Sequence, residues 1–278
     1  MAETDMSKTD EQTVARTDLA TVRVGFIGYG HMAQAVALGL VHAGMPGGNI
    51  RACAMTWDKL VATTASIGAI PCHDAREVVE ASDVVFIAVK PQVVDTACAP
   101  IIDALVGKVV VSVAWGITFD DYEDILMSGT AHVSTVPNIP VCVDEGVWAV
   151  EDRDSLDPGQ AALVQALLSA TGLVVRVPAA LLNAVGTVTG CGPAFAAMIV
   201  EAFGDAAVKH GVPRALSYKL VEQMLGGTSK MLLESGQHPA ALKDAVCSPG
   251  GTTIRGVAKL EECGMRSAAI QAIDEILG

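Results

Sequence analysis

The chain has 278 residues, of which 51% are hydrophobic and 18% are charged. This length suits one large domain or two, and the composition excludes a disordered protein and a small disulfide-stabilised peptide. Aspartate and glutamate outnumber lysine and arginine by 31 to 18, so the net charge is -13 and nucleic acid is not expected as a partner. An anionic ligand must therefore be held by a local device, such as the N-terminus of a helix.

Residues 1–20 mix Asp, Glu, Lys and Thr without an apolar run. We expect a mobile acidic tail there, and neither a signal peptide nor a transit peptide. The seven cysteines are scattered without a close pair or a CxxC motif, so we expect no metal site. Unpaired thiols are typical of a reducing compartment, which favours a cytoplasmic location.

From residue 22 onward, short β-branched runs alternate with helical stretches, a pattern typical of an α/β fold with a parallel sheet. The predicted strands are 22–27, 50–54, 84–89, 109–113, 133–136, 147–150 and 173–177. The predicted helices between them are 32–43, 58–67, 75–80, 93–105, 119–127 and 156–170. We therefore expect residues 21–177 to form an N-terminal, dinucleotide-binding Rossmann domain with a doubly wound, mostly parallel sheet.

The strand pattern stops near Pro178, and residues 178–278 show helical periodicity instead. We expect this half to be an all-helical domain for dimerisation and substrate binding. Residues 177–200 carry no charge and are long enough to span a membrane, but their glycines and Pro193 would break a spanning helix. We expect no membrane contact but two apolar helices, 177–190 and 193–210, in the interface of a homodimer or a higher oligomer such as a decamer.

A glycine motif follows the first predicted strand. Gly28, Gly30 and Ala33 form a GxGxxA pattern between a strand and a helix, the context in which it indicates dinucleotide binding. Gly28 allows a sharp turn, Gly30 lets the backbone approach a pyrophosphate, and Ala33 permits close packing. We expect the phosphates to bind free amide groups around His31 and Met32, at the start of the helix. The alternative interpretation is a glycine turn without a ligand.

The tip of the second predicted strand bears on the choice between NADH and NADPH. NAD-binding proteins place an acidic residue about 20 residues beyond the motif, where it binds the ribose 2′-OH. Here Thr56 follows the strand, and the first acid, Asp58, falls inside the next predicted helix. The Thr56 hydroxyl can donate to a 2′-phosphate that no carboxylate repels, so we expect NADPH, with NADH as the alternative.

Five segments match motifs of a known family: VTGCGPAF at 188–195, KDAVCSPGGTTI at 243–254, AVKP at 88–91, PNIP at 137–140 and KMLLE at 230–234. Taken together, over about residues 22–276, they resemble the pyrroline-5-carboxylate reductase family. The resemblance implies NAD(P)H-dependent reduction of 1-pyrroline-5-carboxylate to L-proline, the last step of proline biosynthesis. A cyclic imine is protonated near neutral pH, so we expect orientation to matter more than a strong general acid.

The loop at 248–253 also has a physical interpretation of its own. Two glycines, Gly250 and Gly251, and the hydroxyls of Ser248, Thr252 and Thr253 precede a helical pattern, which exposes hydrogen-bond donors at a positive helix end. This indicates a carboxylate cradle, and an ordinary Ser or Thr N-cap is the alternative. The resemblance implies that these five residues bind the substrate. We expect Thr253 to be catalytic, donating a hydrogen bond to the ring nitrogen.

Two further segments are cofactor candidates. Lys90 follows strand 84–89 at the edge where open α/β sheets bind ligands, and the resemblance implies cofactor contacts at Ala88, Val89, Lys90 and Pro91. It also implies a contact of Asn138 near the nicotinamide end. The alternatives are a solvated lysine and an asparagine that only shapes a turn. We expect each site to form where the Rossmann half meets the helical half.

Two other functions suit a Rossmann half followed by helices. A β-hydroxyacid dehydrogenase has this architecture, but the lysines of residues 178–278 do not lie in its usual motif. A non-catalytic NADP(H)-binding sensor would keep the fold, but it would not need the complete loop at 248–253. We therefore expect a reductase.

Overall fold

The computed structural model describes residues 18–278. Most of the tail expected at 1–20 lies outside the described residues, and Leu19–Thr21 forms a 3-10 helix capped by Asp18. The chain divides into two compact units, the first ending at Gly190 and the second running from Cys191 to Gly278.

The first unit is built on a sheet of eight strands, counted over the described residues. They are β1 (Val24–Ile27), β2 (Ile50–Cys53), β3 (Ile70–Pro71), β4 (Val84–Ile87), β5 (Val109–Ser112), β6 (Ala131–Pro137), β7 (Gly146–Asp154) and β8 (Gly172–Val177). Their order is β3-β2-β1-β4-β5-β6-β7-β8, and all neighbours are parallel except β6 and β7. The order of the first six strands is that of a Rossmann sheet, which confirms the predicted fold class.

Six helices lie wholly in the first unit: α1 (His31–His42), α2 (Trp57–Ala65), α3 (Ala75–Glu80), α4 (Val94–Cys98), α5 (Phe119–Ile125) and α6 (Pro158–Ser169). A long helix, α7 (Ala179–Lys209), begins in the first unit and ends in the second. The second unit continues with α8 (Arg214–Ser235), α9 (Pro239–Val246), α10 (Thr252–Glu262) and α11 (Met265–Leu277).

Helices cover both faces of the sheet. On one face α1, α2 and α6 pack around Phe26 and Phe86, whose rings stack with centroids 5.1 Å apart. On the other face α3, α4 and α5 pack around Val85 and Val110. Strands β1, β4 and β5 are therefore buried along their whole length, which explains why they read as apolar runs and not as an alternating pattern.

One predicted helix is too long and one strand was not predicted, and a proline is involved in each case. The helix predicted over 93–105 is shorter: α4 ends at Cys98 and a 3-10 turn, Ala99–Ile101, follows, since Pro100 has no amide hydrogen to continue an α-helix. Strand β3 was not predicted because it is only two residues long and one of them is Pro71. Proline at a sheet edge is tolerated, and β3 is the edge strand beside β2.

The two apolar helices predicted over 177–190 and 193–210 are a single helix. α7 runs without a break through Pro193. Within the first unit its N-terminal part packs on Trp115: the Trp115 Nε1–H donates to Asn183 Oδ1 at 2.9 Å, and the indole lies against Gly186 and Gly190. A Cβ atom at either glycine would come within 3.2 Å of the indole ring, so the glycines make room for the tryptophan.

The helices of the second unit leave much apolar surface uncovered in the single chain. α7 is long and apolar enough to cross a membrane, and only 6% of its most apolar stretch is buried within the chain. Other exposed apolar side chains lie on α7, α8 and α11; they include Met198, Phe203, Leu220, Met231, Leu233 and Ile270. Uncovered surface of this extent is typical of an interaction site.

Candidate active site

The turn after β1 is fixed by contacts with the neighbouring strands. Gly28 has φ +86°, a conformation that residues with a side chain rarely adopt. Its N–H donates to the Cys53 carbonyl at the end of β2 at 3.1 Å, and a Cβ atom would lie 2.7 Å from the Ala88 carbonyl oxygen after β4. The glycine therefore lets the loops after β1 and β4 touch, which brings Gly28, Ala88 and Val89 together.

Gly30 is different, because a Cβ atom there would meet no atom of the described chain within 4 Å. It is the N-cap of α1, and no described side chain caps that helix. The amide groups of His31, Met32 and Ala33 therefore lie in the first turn of a helix, where no described side chain caps them. Such an end, with backbone that a ligand can approach closely, fits a pyrophosphate. The structure is thus compatible with a bound dinucleotide.

A second helix N-terminus lies at the end of β2. Thr56 is the N-cap of α2, is exposed, and makes no side-chain capping bond within the described chain. Trp57 stacks on His73, with ring centroids 4.0 Å apart and planes 13° from parallel. Asp58 lies in the first turn of α2, as predicted, and not at the strand tip. The residues between β2 and α2 are Ala54, Met55 and Thr56, which carry no charge.

The segment after β4 also lies at this carboxyl edge. The Ala88 N–H donates to the Ile27 carbonyl at 2.9 Å, which ties the end of β4 to that of β1. Lys90 is exposed and is the N-cap residue of a 3-10 helix, Pro91–Val93, that Pro91 opens. Residues 88–91 therefore border the glycine turn.

Burial raises the pKa of two ionisable side chains beside the glycine turn further above neutral pH. Tyr29 packs edge-on against Phe26, and desolvation raises the pKa of its phenol to about 12. Burial likewise raises the pKa of the Cys53 thiol. Neither side chain is an anion at neutral pH, so neither repels a phosphate bound at this edge.

Asn138 follows β6 at the same carboxyl edge of the sheet. Its side chain is buried and forms two hydrogen bonds within the protein. Its Oδ1 accepts from the Val147 N–H at 2.8 Å, and its Nδ2 donates to the Thr189 carbonyl at 3.1 Å. The sequence analysis missed this link because Asn138 and Thr189 are far apart along the chain. The available signal was Pro193, which leaves the carbonyl four residues before it without a helical donor.

The second candidate region, 248–253, lies in the second unit. The Gly251 N–H donates to the Ser248 carbonyl at 3.0 Å, and Gly250 has φ +68°, so the segment is a tight turn that needs glycine. Gly251 is the N-cap of α10, and no side chain caps this helix within the part of the chain that the structure describes. The hydroxyls of Ser248, Thr252 and Thr253 are therefore not used as an N-cap, and all three residues are exposed.

The described residues contain no group of three His, Cys, Asp or Glu side chains that could hold a metal ion. Of the seven cysteines, Cys53, Cys72 and Cys98 are buried and all seven are unpaired. The arrangement thus consists of two helix ends at one sheet edge, and a third in the helical unit, each with free amide groups. Such ends bind anions.

Comparison with known proteins agrees with this chemistry. Residues 179–277 match the family model described as pyrroline-5-carboxylate reductase dimerisation, and residues 23–116 match the one described as NADP oxidoreductase coenzyme F420-dependent. The pyrroline-5-carboxylate reductase of Treponema pallidum is 41% identical over 91% of this chain and 97% of its own length. That of Escherichia coli is 37% identical over 92% and 96%.

Solved structures give the same result. The pyrroline carboxylate reductase of Plasmodium falciparum, with NADP bound, has a TM-score of 0.82 at 26% identity, covering 93% of this chain and 96% of its own. The pyrroline-5-carboxylate reductase of Coxiella burnetii has a TM-score of 0.79 at 31% identity, covering 92% and 96%. Sequence identity above 30% over almost the whole length, with this fold, leaves one conclusion: the chain belongs to the pyrroline-5-carboxylate reductase family.

Proposed function

We propose that the chain reduces 1-pyrroline-5-carboxylate to L-proline with NAD(P)H, the last step of proline biosynthesis. The observation that carries the proposal is the turn at 248–253. Its glycines expose the first amide groups of α10, and its hydroxyls are not used to cap that helix. A small carboxylate is the ligand that such a turn fits.

The residues have separate roles in this reaction. Gly28, Gly30 and the amides of 31–33 hold the pyrophosphate, Thr56 lies by the ribose, and 88–91 border the cofactor, with Asn138 as a further predicted contact. When bound, NAD(P)H supplies a hydride to the carbon of the C=N bond.

The substrate is held by a second set. Ser248, Gly250, Gly251 and Thr252 bind its carboxylate, and Thr253 donates a hydrogen bond to the ring nitrogen of the neutral imine. The new N–H bond also requires one proton, which the ring nitrogen takes from solvent because a cyclic imine is basic. Holding the reactants in one orientation is therefore the main contribution of the protein.

NADPH is the preferred cofactor in this proposal. A 2′-phosphate needs hydrogen-bond donors and no nearby carboxylate, and the segment between β2 and α2 offers the Thr56 hydroxyl with uncapped amides behind it. Asp58 is set back within the first turn of α2.

Proline-dependent reduction of NADP+ at alkaline pH tests this function. We expect turnover with L-proline and none with 3-hydroxyisobutyrate, and a higher kcat/KM with NADP+ than with NAD+. Turnover of the hydroxyacid alone would indicate a β-hydroxyacid dehydrogenase. Binding of NADP(H) without turnover of either compound would indicate a sensor, and a strong preference for NAD+ would overturn the assignment of Thr56.

We also propose that the chain acts as a homodimer, which can assemble further into a decamer, in the cytoplasm and without membrane contact. The helical half, 178–278, is the dimerisation domain in this proposal. The exposed apolar residues of α7, α8 and α11 support it, because a second copy of the same surface would cover them. Light scattering of the purified protein without detergent is expected to give at least twice the mass of one chain; a stable monomer would contradict the proposal.

A further inference from the structure

Pro193 creates a local problem in the middle of α7. In an α-helix each amide N–H donates to the carbonyl four residues earlier, and proline has no amide hydrogen. The carbonyl of Thr189 is therefore deprived of its regular donor, although the helix continues from Ala179 to Lys209. If such a backbone carbonyl finds no other hydrogen-bond donor, the stability of the folded protein falls.

Asn138 provides that partner. Its Nδ2 donates to the Thr189 oxygen at 3.1 Å, while its Oδ1 accepts from the Val147 N–H at 2.8 Å. Asn138 is only 6% exposed, so its amide bonds to these two backbone groups and is largely shielded from water. The amide serves both partners because it carries a donor, Nδ2, and an acceptor, Oδ1, on separate atoms. An aspartate would place an oxygen against the Thr189 oxygen, and a leucine would satisfy neither group.

The contact belongs to a larger attachment of α7 within the first unit. Asn183, Gly186 and Gly190 repeat at helical spacing and meet Trp115, which belongs to the loop after β5. On the same helix, the Thr189 carbonyl accepts the hydrogen bond from Asn138, which lies at the end of β6. The helix is thus fixed to the edge of the sheet that carries the candidate cofactor residues.

We propose that Asn138 is a positioning residue that replaces the amide missing at Pro193 and so holds α7 at the carboxyl ends of β5 and β6. It acts on the reaction through α7, whether or not it also contacts the cofactor. The effect of Asn138 on the reaction rests on the proposed function, whereas its replacement of the missing hydrogen bond does not.

A double-mutant cycle on the full chain tests the replacement. Pro193→Ala restores an N–H that can donate to Thr189, so Asn138→Ala should do less harm in the Pro193→Ala background than in the unmodified chain. In the unmodified chain, Asn138→Ala is expected to lower Tm by roughly 3 to 8 °C, because it leaves buried polar groups unpaired. In the Pro193→Ala background we expect about half of that fall, since the Val147 N–H still loses its acceptor.

Asn49→Ala is the matched control, because Asn49 Nδ2 also donates to a backbone carbonyl, that of Ala20, at 2.8 Å. Its effect should simply add to that of Pro193→Ala. If the effects of Asn138→Ala and Pro193→Ala are additive as well, Asn138 does not replace the missing amide and the proposal is overturned.

Kinetics separate positioning from stability alone. At a temperature well below every Tm, Asn138→Ala is expected to lower kcat about 10-fold, and Pro193→Ala to recover part of that loss in the double variant. An unchanged kcat in Asn138→Ala would reduce the residue to a structural one. If the unmodified protein does not turn over proline, the proposed function fails, and the Tm cycle still decides the role of Asn138 in α7.

Discussion

Replacing Gly30 by valine is expected to weaken NADP(H) binding by at least about 100-fold and to leave Tm unchanged. Gly30 has φ -76° and ψ -173°, an extended conformation that valine adopts easily. A Cβ atom there touches nothing within 4 Å in the described chain, so the protein can accommodate the side chain. A bound pyrophosphate, however, would collide with the valine side chain. Losing two hydrogen bonds to this charged group, at about 1.5 to 3 kcal/mol each, gives the expected fall in affinity of at least about 100-fold.

Gly28→Ala is the informative partner of this variant. At φ +86° and 2.7 Å from the Ala88 oxygen, the added methyl group must strain the backbone or displace the loop after β4. We expect a lower Tm together with weaker binding. Fluorescence titration with NADPH and thermal unfolding of both variants are the measurements. Normal NADPH binding by Gly30→Val would show that the phosphates lie elsewhere.

Thr253→Val is expected to lower kcat/KM for proline oxidation by about 10- to 100-fold, with the Kd for NADPH unchanged. Valine has nearly the same shape but cannot donate a hydrogen bond, and a bond that strengthens in the transition state is worth about 1 to 3 kcal/mol. Gly251 caps α10 and Thr253 is exposed, so the substitution should not unfold the helix.

Thr96→Val provides the control for this substitution, because Thr96 is an exposed helical threonine of α4 whose hydroxyl bonds only to the nearby Val93 carbonyl at 3.1 Å. Steady-state kinetics on both variants should separate them by at least tenfold. Equal kinetics for Thr253→Val and the unmodified protein would remove Thr253 from the mechanism.

The parts of the molecule that depend on local sequence could be predicted well. β-branched runs such as Val84–Ile87 and Val109–Ser112 correspond to buried strands, and the glycine turn is correct in position because its motif lies between a strand and a helix that are next to one another in the sequence. The same holds for the turn before α10, although its N-cap is a glycine and not a hydroxyl residue.

What could not be predicted depends on contacts between distant segments. Pro193 looks like a helix end in the sequence, and the helix continues through it while Asn138, far away in the chain, supplies a donor for Thr189. The short β3 exists because β2 offers it an edge to pair with, not because Ile70 and Pro71 form strands by themselves.

The direction of β7 has a consequence for where the chain leaves the sheet. β7 runs against β6, and β8 runs parallel to β7, so both return toward the starting ends of the first six strands. The next helix, α7, therefore runs in the opposite direction, from the starting ends of these strands toward their carboxyl ends, where its Thr189 contacts Asn138. A single reversal of strand direction therefore makes the polypeptide leave the sheet at the edge opposite the glycine turn, and α7 runs back along the sheet as far as Asn138. In a wholly parallel sheet the last strand would end at the carboxyl edge itself.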